Sequence, residues 1–161
     1  ARDVSGIALV LRHPSVTDAR TCSKIDGLAG LGCGYCMGRP EATTRMRPQR
    51  LSHSVNVLAL VAAIASLEDK GLVPAGRSRN SEIRAFMTRE LEAPGYHSIT
   101  SHANFIMVDL KRPVVPIIAA MKQRNVRIGR LFPPLPNHMR LTIGKKAEME
   151  TFLAAFHEAM A

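Results

Sequence analysis

The 161-residue chain is 46% apolar and sets 22 Lys and Arg against 13 Asp and Glu, a formal charge of +9. That length suits one ordinary domain with a proper core, and with no tryptophan and 4% aromatic residues the core must be aliphatic and Met-rich. No apolar run reaches the roughly 18 residues of a membrane span. The densest basic group, Arg39, Arg45, Arg47 and Arg50, holds no aromatic to stack on a base, so small anions suit this charge better than nucleic acid.

The N-terminal ARDVSGIALVLRHP has no basic segment before its apolar patch and no small-residue cleavage site after it, so it does not read as a signal peptide. Three cysteines, an odd number, then point to a reducing, cytoplasmic setting. Residues 7–11, IALVL, fit a strand or a helix end equally. Val16 to Cys22 reads as a strand, followed by a glycine-rich turn and a second strand over Cys33 to Met37. Cys33 and Cys36 form a CxxC, but on a strand positions three apart face opposite ways, so buried small hydrophobes fit better than a redox or zinc pair. Pro40 opens a helix. Val55 to Lys70 is a clear helix with an apolar face of Leu58, Val61, Ala62, Ala65 and Leu67, stopped by Gly71. Gly76 to Leu91 is a second long helix, ended by Pro94-Gly95. Asn104 to Leu110 then reads as a strand, Pro113 to Arg124 as a helix, and Val126 to Ile128 as a short strand. Leu131 to Asn137 is a proline-bound loop, His138 to Ile143 an alternating strand, and Ala147 to Met160 a closing amphipathic helix. The tail from Asn104 is thus expected to be β-α-β-β-α.

The chemistry concentrates in Thr21 to Gly38, TCSKIDGLAGLGCGYCMG. Lys24 stands before Gly27, Gly30, Gly32 and Gly34, with the hydroxyls of Thr21 and Ser23 beside it. Dense glycine lets backbone approach a ligand closely, and hydroxyls, free N–H groups and a lysine suit an anion. The spacing is not GxxxxGK[ST], so this is no nucleotide P-loop. A lysine so placed can instead hold a carbonyl cofactor as a Schiff base. The plainer readings are a surface lysine on a loop, turn hydroxyls, and in HMRLTI an outward strand arginine at Arg140.

The segment SKIDGLAGLGCGY resembles the lysine motif of class I/II aminotransferases, approximately S-K-[IA]-x-G-L-A-G-L-R-x-G-Y, and most of all the histidinol-phosphate group. The resemblance continues through SVNVLALVAAIASLED, SHANFIMVDL and RNVRIGRLFPPLPNHMRLTIG into the closing helix. It implies an α/β fold, the C-terminal part of an aspartate-aminotransferase-like, pyridoxal-phosphate-dependent transferase. The expected organisation is a large-domain remnant over 1–54, connecting helices over 55–93 and a small α/β domain over 94–161. It also implies pyridoxal 5'-phosphate held on Lys24, with Ser23 and Thr21 on the cofactor phosphate. Arg140 would bind the substrate carboxylate and Arg130 a substrate phosphate, with Asn56 lining the site. Substrates would be an amino acid or amino-alcohol phosphate and a 2-oxo acid, and the family assembly is a homodimer.

Two positions depart from the pattern: the family's arginine eight residues after the lysine is Gly32, and Asp26 adds a negative charge. The family chain is roughly double this length. Its ring-stacking aromatic and its aspartate for the ring nitrogen belong to the part before residue 1. The resemblance therefore implies histidinol-phosphate transaminase-like chemistry, weak or absent in the isolated chain. The alternatives are a non-catalytic or partner-dependent remnant, and a basic module for anions or nucleic acid.

Overall fold

The computed structural model describes residues 6–51 and 54–160. Residues 1–5, which include part of the N-terminal segment read above, lie outside the described residues. The chain divides into two compact units, 1–76 and 77–161, so the expected connecting segment 55–93 is shared between them.

In the first unit, the ambiguous apolar run is a short helix, α1 (Ile7–Arg12), whose Val10 is buried. Strands β1 (Asp18–Thr21) and β2 (Gly34–Met37) pair antiparallel, from Asp18 opposite Met37 to Thr21 opposite Gly34. Helix α2 (Pro40–Met46) starts on its proline, where the missing N–H would lack a helical partner anyway. Helix α3 (Val57–Glu68) is capped by Asn56, whose Oδ1 accepts from the Ala59 N–H at 2.8 Å.

Gly71 does not stop α3. The helix ends at Glu68, and Asp69 takes over: its Oδ1 accepts from the N–H groups of Gly71 at 2.8 Å and Leu72 at 3.2 Å. That carboxylate caps the next helix, α4 (Leu72–Glu92), which begins before Gly76 because Pro74 in its first turn costs no helical bond. The unit's core is thin. Cys22, Cys33, Ala59 and Ala63 form it, with Leu28, Leu31 and Val55 against them. The apolar face expected to be inward on α3 is largely uncovered: Leu58 is 71% exposed, Val61 63% and Leu67 60%.

The second unit holds an antiparallel sheet ordered β3 (His97–Ile99), β4 (Phe105–Asp109), β5 (His138–Thr142). Alternation on β4 and β5 turns Ile106, Val108, Met139 and Leu141 inward. Ile83, Met87 and Leu91 of α4 join them, with Val114, Ile117 and Met121 of α5 (Val114–Gln123) and Met149, Phe152, Leu153 and Phe156 of α6 (Lys146–Met160). One face of the sheet is thus packed by helices, an arrangement suited to strands that alternate.

The element order here is β-β-α-β-α. Strand β3 supplies an unexpected first strand, while Val126–Ile128 forms no ladder; beside it, only the Gly129 N–H reaches the Arg140 carbonyl, at 2.9 Å.

Candidate functional site

The lysine loop is the connection of the β1–β2 hairpin. Cys22 N–H donates to the Cys33 carbonyl at 3.1 Å and extends the ladder by one step. Inside that pair, Gly27 N–H closes a turn on the Lys24 carbonyl at 3.1 Å, and Leu28 N–H returns to the Cys22 carbonyl at 2.9 Å. Gly27 has φ +71°, a left-handed value that a side chain would strain. A 3-10 turn over Ala29–Leu31 follows, ended by Gly32 at φ 62°, ψ 41°. Lys24 is exposed at the head of this turn.

The two expected hydroxyls converge beside it. Thr21 Oγ1 donates to Ser23 Oγ at 2.9 Å and accepts from the Ser23 N–H at 3.1 Å. The Ser23 hydroxyl proton has no acceptor among these contacts and is free for an anion's oxygen. Asp26 is drawn to one side: its Oδ1 accepts from Ser66 Oγ of α3 at 3.0 Å. Beneath the loop, burial, and after it a hydrogen bond to Cys33, push the Cys22 thiol pKa up.

Asn56 has a folding role beyond its cap, since its Nδ2 also donates to the Leu31 carbonyl at 3.3 Å. Both ends of its amide are engaged, tying the lysine loop to α3. On β1, Asp18 accepts from Arg20 Nη2 at 2.7 Å and Nε at 3.0 Å, a contact that raises the Arg20 pKa further.

In the second unit, Arg140 projects from β5 on the face opposite Met139 and Leu141. Its guanidinium lies 4.3 Å from the Phe105 ring centroid and 6.0 Å from that of Phe132. Such stacking contributes about 0.5–2 kcal/mol. Arg130, exposed, approaches the same Phe132 ring at 5.5 Å. Among the described residues neither guanidinium has a carboxylate partner, and Arg140 Nε is buried without an acceptor. A planar, stacked guanidinium of this kind suits a bidentate carboxylate.

Gly129 backs the arginine, because a Cβ there would fall 2.7 Å from Arg140 Cβ. Phe105, Phe132 and Gly129 do not stand out in the sequence. The signal that could have found them is the alternation of FIMVD, which puts Phe105 on the same face as Met107, the residue opposite Arg140.

The sequence family described as Aminotransferase class I and II matches residues 2–156. The histidinol-phosphate aminotransferase of Symbiobacterium thermophilum is 34% identical over 154 residues, covering 95% of this chain and 43% of that protein. That of Moorella thermoacetica is 38% identical over 144 residues, 88% of this chain and 37% of its own length. Among solved structures, the Sinorhizobium meliloti histidinol-phosphate aminotransferase in complex with pyridoxal-5'-phosphate superposes with a TM-score of 0.83 at 27% identity, covering 91% of this chain and 41% of that one. The Clostridium acetobutylicum enzyme gives 0.89 over 99% of this chain and 50% of its own; at 19% identity it speaks for the fold alone. The chain thus spans less than half the length of these curated relatives. Matched along nearly all of its own length, it belongs to the class I and II aminotransferases.

Proposed function

We propose that the chain carries the lysine-bearing portion of a pyridoxal-phosphate-dependent aminotransferase of the histidinol-phosphate type, acting on an amino acid or amino-alcohol phosphate and a 2-oxo acid as a homodimer. In this reading, residues 1–76 belong to the large domain and residues 77–161 are the small domain. The observation that carries it is the hairpin loop, where an exposed lysine stands beside two converging hydroxyls.

The residues present fit the cofactor's phosphate. Ser23 and Thr21 offer oxygen ligands, Gly32 has open space where a side chain would project, and the Asp26 carboxylate is engaged by Ser66. The bound cofactor supplies an electron sink for breaking a bond at the substrate Cα. Lys24 Nζ holds the cofactor and moves the proton at Cα. Arg140 orients the substrate carboxylate through its fork, and Arg130 meets a substrate phosphate.

Pyridoxal phosphate titrated into the full chain is expected to give a visible absorption band. Borohydride should bleach that band and leave a pyridoxyl label on the peptide containing Lys24, and Lys24→Ala should lose both. Absence of any band at saturating cofactor overturns the assignment.

Gly32→Arg tests the phosphate cup. A side chain at this left-handed position costs about 1–2 kcal/mol in backbone strain. A new charge-assisted bond to the phosphate contributes about 1.5–3 kcal/mol. The strain is carried with and without cofactor, so cofactor binding should tighten by about tenfold to a hundredfold while the melting temperature of the cofactor-free chain falls. If the melting point drops and affinity is unchanged, the loop is not a phosphate site.

The uncovered face of α3 supports a second reading, in which turnover requires a further polypeptide segment packed on that helix. Amino transfer by this chain alone, from an added amino donor to a 2-oxo acid, would remove that reading.

A further inference from the structure

Cys22 and Cys33 form the step of the hairpin ladder just beyond Thr21 and Gly34. The Cys22 N–H bond to the Cys33 carbonyl continues the ladder register and sets the two residues opposite each other, while the Cys22 carbonyl accepts from the Leu28 N–H instead. In such a pair the Cα atoms lie about 5.5 Å apart, inside the span of a disulfide, and both side chains leave the same face. That face is the one packed on Ala59 and Ala63 of α3, where Cys22 is 1% and Cys33 9% exposed. Both are free thiols. Cys36, three residues further along, is exposed. The residues between the pair are those of the lysine loop itself, including Lys24, Gly27 and Gly32.

We propose that Cys22 and Cys33 are an oxidation-sensitive pair, converted by hydrogen peroxide into a cross-strand disulfide that staples the loop bearing Lys24 and leaves Cys36 as a free thiol. The Cys33 thiol, the more exposed of the two, loses its proton and attacks one peroxide oxygen. The O–O bond breaks, giving a sulfenic acid and hydroxide, which takes up the released proton as water. Cys22 sulfur then attacks the sulfenic sulfur, the S–O bond breaks, and the leaving hydroxide departs with the Cys22 proton as a second water. Two thiols are oxidised by two electrons and one peroxide is reduced to two waters. The bond adds no atoms to the small core between the hairpin and α3. It closes a covalent ring around a loop otherwise held by a few backbone bonds and two left-handed glycines.

The pair stands whether or not the loop binds a cofactor, so its test is separate from the one above. The full chain is treated with hydrogen peroxide, denatured, alkylated and mapped by peptide mass. The expected product is a Cys22–Cys33 cross-link that dithiothreitol reverses, with Cys36 alkylated. The Cys36→Ser variant should give the same cross-link and Cys33→Ala none. Amide exchange across 24–32 should slow by about tenfold or more in the oxidised chain. Alkylation of Cys22 and Cys33 after oxidation, or a cross-link that uses Cys36, overturns the pairing. A correct cross-link with unchanged amide exchange overturns the staple.

Discussion

Phe156→Ala is expected to remove the cooperative melting of the second unit. Phe156 is fully buried, its ring 5.5 Å from that of Phe152 in a stacked arrangement and 5.6 Å from that of Tyr96 edge-on. Truncating such a residue costs about 3–5 kcal/mol, because the cavity left behind closes only in part. Each of the two ring pairings is worth about 0.5–1.5 kcal/mol beyond the area it buries, and the alanine keeps neither. A domain of this size has only about 5–15 kcal/mol of total stability, so the loss is a large share of the whole. Far-ultraviolet circular dichroism during heating is the measurement, since the chain has no tryptophan to report by fluorescence. A variant that melts within a degree or two of the parent would mean that the α6 core is not organised around this ring.

Gly34→Ala should have the next largest effect, and it acts on the lysine loop from a distance. A Cβ on Gly34 would lie 2.6 Å from the Arg20 carbonyl oxygen and 3.5 Å from Thr21 Cα. Both are backbone atoms, so no side chain can swing aside and the two strands must spread. Overpacking of this kind costs about 1–3 kcal/mol. The displaced residue is Thr21, whose hydroxyl holds that of Ser23, so labelling of Lys24 by cofactor and borohydride should fall by about tenfold. Gly30→Ala is the matched control, because a Cβ there meets nothing within 4 Å. Equal labelling yields for the two variants would show that the hairpin does not set the hydroxyl pair.

The regular elements were legible where sequence periodicity had a physical cause that persisted in the fold. The alternation of HMRLTI became β5, and the spacing of Ile83, Met87 and Leu91 became the buried stripe of α4. Strand β3 escaped notice because HSI is three residues long and buries only Ser98, which gives no apolar alternation to read. Val126–Ile128 alternates like a strand yet forms no ladder, because pairing depends on what lies alongside and not on local pattern.

At the candidate site, Lys24 and its hydroxyls were visible because loop chemistry is local. The aromatic bed of Arg140 was not, since Phe105 and Phe132 reach it from other segments of the chain. Asn56 illustrates a different ambiguity. An asparagine ahead of an apolar run is as good a helix cap as a ligand, and here both ends of its amide are bonded within the protein.

The bare face of α3 has a colloidal consequence. It offers Val57, Leu58, Val61, Ile64 and Leu67 to water on a molecule whose formal charge is +9. In dilute buffer, mutual repulsion keeps copies apart and masks the stickiness of that helix. Salt shrinks the reach of the repulsion to about 10 Å at 0.1 M and leaves the apolar attraction in place. Raising ionic strength should therefore drive the protein out of the monodisperse state, as light scattering across a salt series would record. Leu58→Lys together with Val61→Glu should flatten that response while leaving the net charge unchanged.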